Sequence, residues 1–405
     1  MRLLFLAPYL PSPPQSGAPR RVHGLLTELA RRHEVTILAF SVPGEDTEGA
    51  RRATGEYCVE VVTVENDHLD RALTGKRKRA VQLRSLLAMH SFERLAYYHP
   101  LFQRALDDLA ARRDFDVVTV EHAQMACYRL PSGPRLILDE HNIEYDILWR
   151  TTTAEKPSIR KLYNWANYQK LRCEERAAWR QFDGITLTSA RDELLLRRDA
   201  SRKLTAVIPN GVDTSFFNPS GIAVEPDTIL FFGAMNYYPN IEGILYFLND
   251  IFPRVKRQRP GARLLVVGQQ PPPSILERAS DDIVVTGLVD DVRPYLERAA
   301  VAIAPLRIGG GTRLKIVEAM SMGKAIVATS LGAEGLHVKD GVDILLGDTA
   351  EDFARHVVRV LDDPLLAQRL GEAARHSAEA QYSWWGAVNR LERFYGELPP
   401  SRRTR

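Results

Sequence analysis

A rhythm constrains this chain more than any single residue does. Apolar runs of three to six residues alternate along nearly the whole sequence with longer amphipathic stretches. Strands buried on both faces read as near-continuous apolar runs, and parallel strands need crossover connections, usually helical, between them. The pattern therefore predicts parallel α/β sheets. In the first half the strand-like runs are 3–7, 35–40, 59–64, 117–120, 136–138, 185–188 and 206–208, with helical patterns such as 21–32 and 160–180 between them. The rhythm then restarts with 229–232, 264–267, 283–285, 301–304, 326–328 and 344–346.

The restart follows two turn-rich segments, Pro209-Asn210-Gly211-Val212-Asp213 and Asn218-Pro219-Ser220-Gly221. The expected organisation is two Rossmann-like domains, 1–210 and 211–381, facing a deep cleft. Residues 382–405 form an amphipathic helix, with Trp384, Trp385, Leu391 and Phe394, that packs back on the first domain and ends in a basic tail. Composition removes other classes. With 45% hydrophobic and 26% charged residues the chain is neither collagen-like nor disordered. A net charge of +3 is too balanced for a dedicated nucleic-acid binder. Cys58, Cys127 and Cys173 lie too far apart for a disulfide framework or zinc motif, which fits a reducing compartment. The apolar run at 3–7 stops at Pro8, short of a signal-peptide core, and no apolar stretch approaches the length of a membrane span. A cytoplasmic location is expected.

Open parallel sheets bind ligands at the carboxyl ends of their strands. There the segment 301–323 reads as a strand, a loop holding Gly309-Gly310-Gly311-Thr312, and a helix closed by Gly323. Thr312 is suited to cap the helix, whose free N–H groups and dipole favour an anion. Arg313 and Lys315 add cations, and Glu318 follows Lys315 by one turn. A diphosphate on the loop, with a sugar hydroxyl on the carboxylate, satisfies all of these groups. The plainer reading is a tight turn and a surface Lys315–Glu318 pair.

Together with Val207-Ile208-Pro209-Asn210-Gly211-Val212-Asp213, Phe232-Gly233-Ala234-Met235, Leu265-Val266-Val267-Gly268, Thr286-Gly287-Leu288-Val289-Asp290 and Gly332-Ala333-Glu334-Gly335, this segment resembles the retaining glycosyltransferases of family 4, which have the GT-B fold. The resemblance covers nearly the whole chain. It implies that Glu318 holds the ribose hydroxyls of a nucleotide-diphosphate sugar and that backbone near Val289 lines the base pocket. The donor-binding set it implies is Gly17, Gly233, Gly268, Val289, Gly310, Gly311, Thr312, Arg313, Lys315 and Glu318. Two positions depart from the family pattern. Gly310 stands where the first of two motif glutamates usually contacts the donor sugar. The loop 233–240 lacks the arginine and lysine that many relatives carry, which leaves Arg313 and Lys315 as substitutes.

In the first domain, the proline-rich loop 8–19 follows the first strand, and Ser16 and Gly17 allow close backbone approach to a ligand. Glu121-His122 and Asp139-Glu140-His141-Asn142 follow two further strands. By resemblance His141 contacts the donor sugar near the reacting carbon, and either Glu121 or His122 occupies the other loop. These three are the candidate catalytic residues. Asp114-Phe115-Asp116 spells a D-x-D but precedes its strand, so no metal is expected and no cofactor beyond the donor itself.

The stretch 71–84 carries Lys76, Arg77, Lys78, Arg79 and Arg84 without an acid, beside Leu83, Leu86, Leu87 and Met89. It reads either as a solvated helix face or as a basic surface for peripheral contact with an anionic membrane on its inner face. Interleaved aromatic platforms for nucleic acid are missing. The expected function is transfer of a sugar, with retention and without metal, to a hydroxyl acceptor such as a lipid-linked saccharide in polysaccharide or glycoconjugate synthesis. A sugar-nucleotide epimerase of the same fold and a non-catalytic nucleotide-sugar-binding protein are the competing readings.

Overall fold

The computed structural model describes all residues except 15–16, 70–74, 155–156, 236, 309–313 and 401–405. Its strands fall into two sheets in which every pairing is parallel. The chain divides into two units, Met1–Pro209 with Ala387–Arg405, and Asn210–Gly386.

In the first unit the strands are β1 (Arg2–Ala7), β2 (Glu34–Ser41), β3 (Glu60–Glu65), β4 (Val117–Glu121), β5 (Arg135–Glu140), β6 (Gly184–Leu187) and β7 (Leu204–Val207). Their order is β3-β2-β1-β4-β5-β6-β7. The connections run outward from β1 in one direction and from β4 in the other, so the carboxyl ends of β1 and β4 flank a switch point, the place where such sheets take ligands. The Gly17–Leu29 helix buries Val22, Leu25, Leu26 and Leu29 at helical spacing, with Pro19 in its first turn. Ser158 caps the Ile159–Gln181 helix by accepting from the Lys161 N–H at 3.1 Å.

The second unit holds β8 (Thr228–Phe232), β9 (Arg263–Val267), β10 (Ile283–Gly287), β11 (Val301–Ala304), β12 (Ile326–Ala328) and β13 (Leu345–Leu346). The order β10-β9-β8-β11-β12-β13 puts a second switch point between β8 and β11. The Ala350–Asp362 helix buries Phe353, Val357, Val360 and Leu361 against one sheet face. The Leu314–Ser321 helix covers the other with Ile316, Val317 and Met320.

The Trp384–Glu397 helix contributes Val388, Leu391, Phe394 and Tyr395 to buried positions, and Arg135 donates to the Tyr395 carbonyl at 2.9 Å. Trp385 is not among the buried residues: it stays 64% exposed, because its neighbour Trp384 takes the inward position against Gly211. Asp116 lies at the amino end of its sheet, where its carboxylate accepts from the Arg2 N–H at 2.7 Å, far along β4 from the ligand-binding edge.

Candidate functional site

Strand register builds the site of the first unit. Glu121 of β4 pairs with Asp139 of β5, and Asp139 pairs with Thr186 of β6, so three polar side chains form one row across the sheet. His141 lies two residues beyond Asp139 and joins the same face. Its Nε2 is 2.7 Å from Glu121 Oε2 and 3.4 Å from Asp139 Oδ2. Arg21, on the Gly17–Leu29 helix, grips Asp139 bidentately at 2.8 and 2.9 Å and donates to the Ile208 carbonyl at 2.8 Å. Thr186 donates to Asp139 at 2.6 Å. All of these groups are buried, so their charges must balance within the cluster.

The balance follows from the partners. Burial pushes the Asp139 carboxyl up, but the Arg21 charge and the bonds from His141 and Arg21 hold it well below the usual carboxylate range. Burial and the neighbouring Asp139 charge push Glu121 up. Burial alone would discharge His141, yet its bonds to Asp139 and Glu121 prevail and hold it at about 9. Among the described residues Glu121 Oε1 has no hydrogen-bond partner.

His122 departs from strand alternation. Its φ of 67° is a left-handed conformation rare outside glycine, and the backbone turn places its ring 3.9 Å from that of His141. Tyr9, from the loop after β1, meets His122 Nε2 at 3.1 Å. Burial, reinforced by the His141 charge, pushes His122 well below its ordinary value, so a neutral and a charged imidazole lie side by side. The loop that carries Tyr9 is pinned through Ser12, which meets His23 Nδ1 at 2.9 Å and the Tyr57 hydroxyl at 2.7 Å. Gly17 begins the helix that follows this loop. The structure thus gathers Glu121, His122 and His141 at one switch point. It also adds Arg21 and Asp139, which the sequence reading did not assign to the site.

On the opposite face of β5, Glu140 accepts from Trp179 Nε1 at 2.8 Å and burial pushes it up to about 8. Glu144 is pushed up to about 7 by burial and by the Glu93 charge. Glu175 accepts from the N–H groups of Glu144 and Tyr145 at 2.9 and 3.0 Å.

Glu121, Asp139 and His141 are also the one set among the described residues whose ligand atoms lie close enough to share a metal ion. Their chemistry does not fit one. Both Asp139 oxygens already accept from the Arg21 guanidinium, so a metal there would have to compete with that buried cation for the same carboxylate.

In the second unit the corresponding edge lies between Gly233, after β8, and the segment after β11. Gly233 has φ 146°, and a Cβ there would lie 3.0 Å from Asn240 Nδ2 and 3.3 Å from Lys315 Nζ. Lys315 donates to Asn240 Oδ1 at 2.7 Å, and Asn240 donates to the Ala234 carbonyl at 2.8 Å. Lys315 Nζ also lies 4.5 Å from the Phe231 ring centre. The helix lysine thus brings a cation to a loop whose own residues 233–240 include none. Glu318, one turn on, is 4% exposed and belongs to no solvated helix face. A Cβ on Gly268 would fall 1.9 Å from the Gly233 carbonyl oxygen, so Gly268 lets two strand ends meet backbone to backbone. Val289 is half-buried and packs against the apolar cluster that also holds Val267 and Leu296. Gly310, Gly311, Thr312 and Arg313 lie outside the described residues.

Two Rossmann-like units, each with its own switch point, are the architecture of GT-B proteins. HepE of Anabaena, solved with UDP and glucose, shares it with a TM-score of 0.67 over 98% of this chain and 100% of that one, at 14% identity. The pattern of Glycosyltransferase Family 4 matches residues 15–216, and that of Glycosyl transferases group 1 matches 226–363. The MMP alpha-(1->4)-mannosyltransferase of Mycolicibacterium hassiacum is 30% identical over 304 residues, covering 69% of this chain and 70% of the relative. The phosphatidyl-myo-inositol mannosyltransferase of Mycolicibacterium smegmatis is 30% identical over 193 residues, 45% of this chain, and the match spans about half (49%) of that relative's length. The chain belongs to glycosyltransferase family 4.

Proposed function

We propose that this protein transfers a hexose from a nucleoside-diphosphate sugar to a hydroxyl acceptor of a growing glycoconjugate, with retained anomeric configuration. The observation that carries the reading is the Asn240-held Lys315 at the switch point of the second unit, with buried Glu318 one turn away. A fixed cation there stabilises the diphosphate that leaves as the glycosidic bond breaks. Glu318 is the carboxylate for the ribose hydroxyls. In the first unit, Glu121, His122 and His141 serve the sugar and the acceptor. Family membership supports retention. The names of two relatives favour mannose, and HepE's bound UDP and glucose favour uridine and glucose, so GDP-mannose and UDP-glucose are the donors to try first.

Calorimetry with both sugar nucleotides and the bare diphosphates tests the donor site. Lys315→Ala and Glu318→Ala should each weaken donor binding about tenfold to a hundredfold, the range for a hydrogen bond to a charged group. Unchanged affinity in both variants would remove this edge from the donor site. We also propose metal independence, since lysine supplies the charge that a cation would. Turnover should persist in chelator, and loss restored by magnesium or manganese would refute it.

A further inference from the structure

Two helices of the first unit share a one-sided composition. Residues 75–92 hold five Lys or Arg and no Asp or Glu, and residues 156–173 likewise hold five and none. The Gly75–Leu87 and Ile159–Gln181 helices lie against each other. Ser85 Oγ meets the Tyr163 hydroxyl at 2.9 Å, and Lys170 Nζ donates to the Ser85 and Ala88 carbonyls at 2.5 and 2.7 Å. Further along, Ser91 bonds Glu174, so the two segments run side by side in the same direction. Lys170 satisfies carbonyls that the end of the shorter helix leaves open.

The joined helices leave large apolar side chains in solvent. Leu87 is 93% exposed, Met89 89%, Ile159 89%, Leu162 68% and Leu83 63%. Arg79, Arg84 and Arg160 are exposed among them. On the Gly75–Leu87 helix the cations cluster toward the start and the leucines toward the end, so the segregation runs along the axis rather than around it. Exposed apolar groups of this size mark a contact surface, and the surrounding charge selects what it meets. A second copy would set arginine against arginine. Nucleic acid would meet mostly aliphatic tips, with few aromatic rings on which to stack. Lipid suits both features, because anionic headgroups pair with the arginines while leucine and methionine enter the interface.

The geometry points to a docking face for anionic phospholipid on this helix pair, an interaction that goes beyond sugar transfer and does not depend on it. Co-sedimentation with vesicles of phosphatidylcholine, with and without phosphatidylglycerol, tests it on the full chain. Binding is expected only to the anionic vesicles and should fall as salt rises. At ~1 kcal/mol per basic residue, about fivefold in partition, Arg79→Glu with Arg84→Glu should weaken binding at least tenfold. Leu87→Glu with Met89→Glu should also weaken it although every cation remains, which separates insertion from simple attraction. Circular dichroism checks that these exposed substitutions leave the fold intact. Absence of binding to anionic vesicles, equal binding to both kinds, or undiminished binding of both variants would overturn the assignment. Concentration-dependent dimerisation abolished by Leu87→Glu, without vesicle binding, would give the face to a second copy instead. Donor affinity on the same samples should not change, so the outcome here is distinct from that of the glycosyl-transfer reading.

Discussion

Asn240 places a charge that it does not carry. Its amide bonds the Ala234 carbonyl on one side and Lys315 on the other, so the lysine reaches the strand end in a fixed position. Asn240→Ala should therefore weaken donor binding in the same direction as Lys315→Ala. The double variant should be little weaker than Lys315→Ala alone, since the two act as one unit; fully additive losses in calorimetry would refute the coupling. Other residues act through protons. Glu140, at about 8, Glu144, at about 7, and His141, at about 9, each hold a proton more tightly folded than unfolded. The stability this gives is complete at low pH and is lost as pH rises, from about 4.3 to 8 for Glu140 and from about 6.5 to 9 for His141. Asp139 shifts the other way and stays ionised throughout this range. Thermal melts should therefore fall in midpoint between pH 6 and 9, and Glu140→Gln should flatten the lower part of that slope; a midpoint that rises with pH would contradict this. Lys315 and Glu318 were legible because they share one helix turn. Asn240 was not, because its partner lies 75 positions away and only the fold joins them.

The carboxyl ends of β4 and β5 show where sequence reading stops and register begins. The strands themselves were readable, since continuous Val, Ile and Leu runs leave few alternatives. That Glu121 and Asp139 stand side by side depends on which residues pair, and no local pattern states that. The left-handed turn at His122 was hidden as well, because a histidine there gives no warning of positive φ. Arg21 looked like one cation on an amphipathic helix until the helix set it over Asp139. Arg21→Met leaves Asp139 charged and buried without its partner, and should destabilise the first unit by about 3–5 kcal/mol in urea. Arg21→Met with Asp139→Asn should recover part of that loss. If Arg21→Met alone costs less than about 1 kcal/mol, the pair is not what holds these strand ends together.

The first unit is discontinuous in the chain, and its last piece begins at Ala387, within the Trp384–Glu397 helix. Phe394 and Leu398 sit so close to Gly184 that any side chain on that glycine would collide with them. A protein stopped after Ser383 should lose ordered structure around β5 and β6 while the second unit keeps its own protection in hydrogen exchange; unchanged protection in β5 and β6 would show the helix to be dispensable. The same discontinuity has a consequence for biogenesis. When Pro209 leaves the ribosome, the sheet of the first unit has all seven strands but lacks the helix that covers Gly184. The nascent chain must wait while about 180 further residues are made, roughly 10–35 s at bacterial or eukaryotic elongation rates. Through that interval an apolar patch near β6 stays open to chaperones. The second unit, continuous in sequence, can finish folding first although it is translated later.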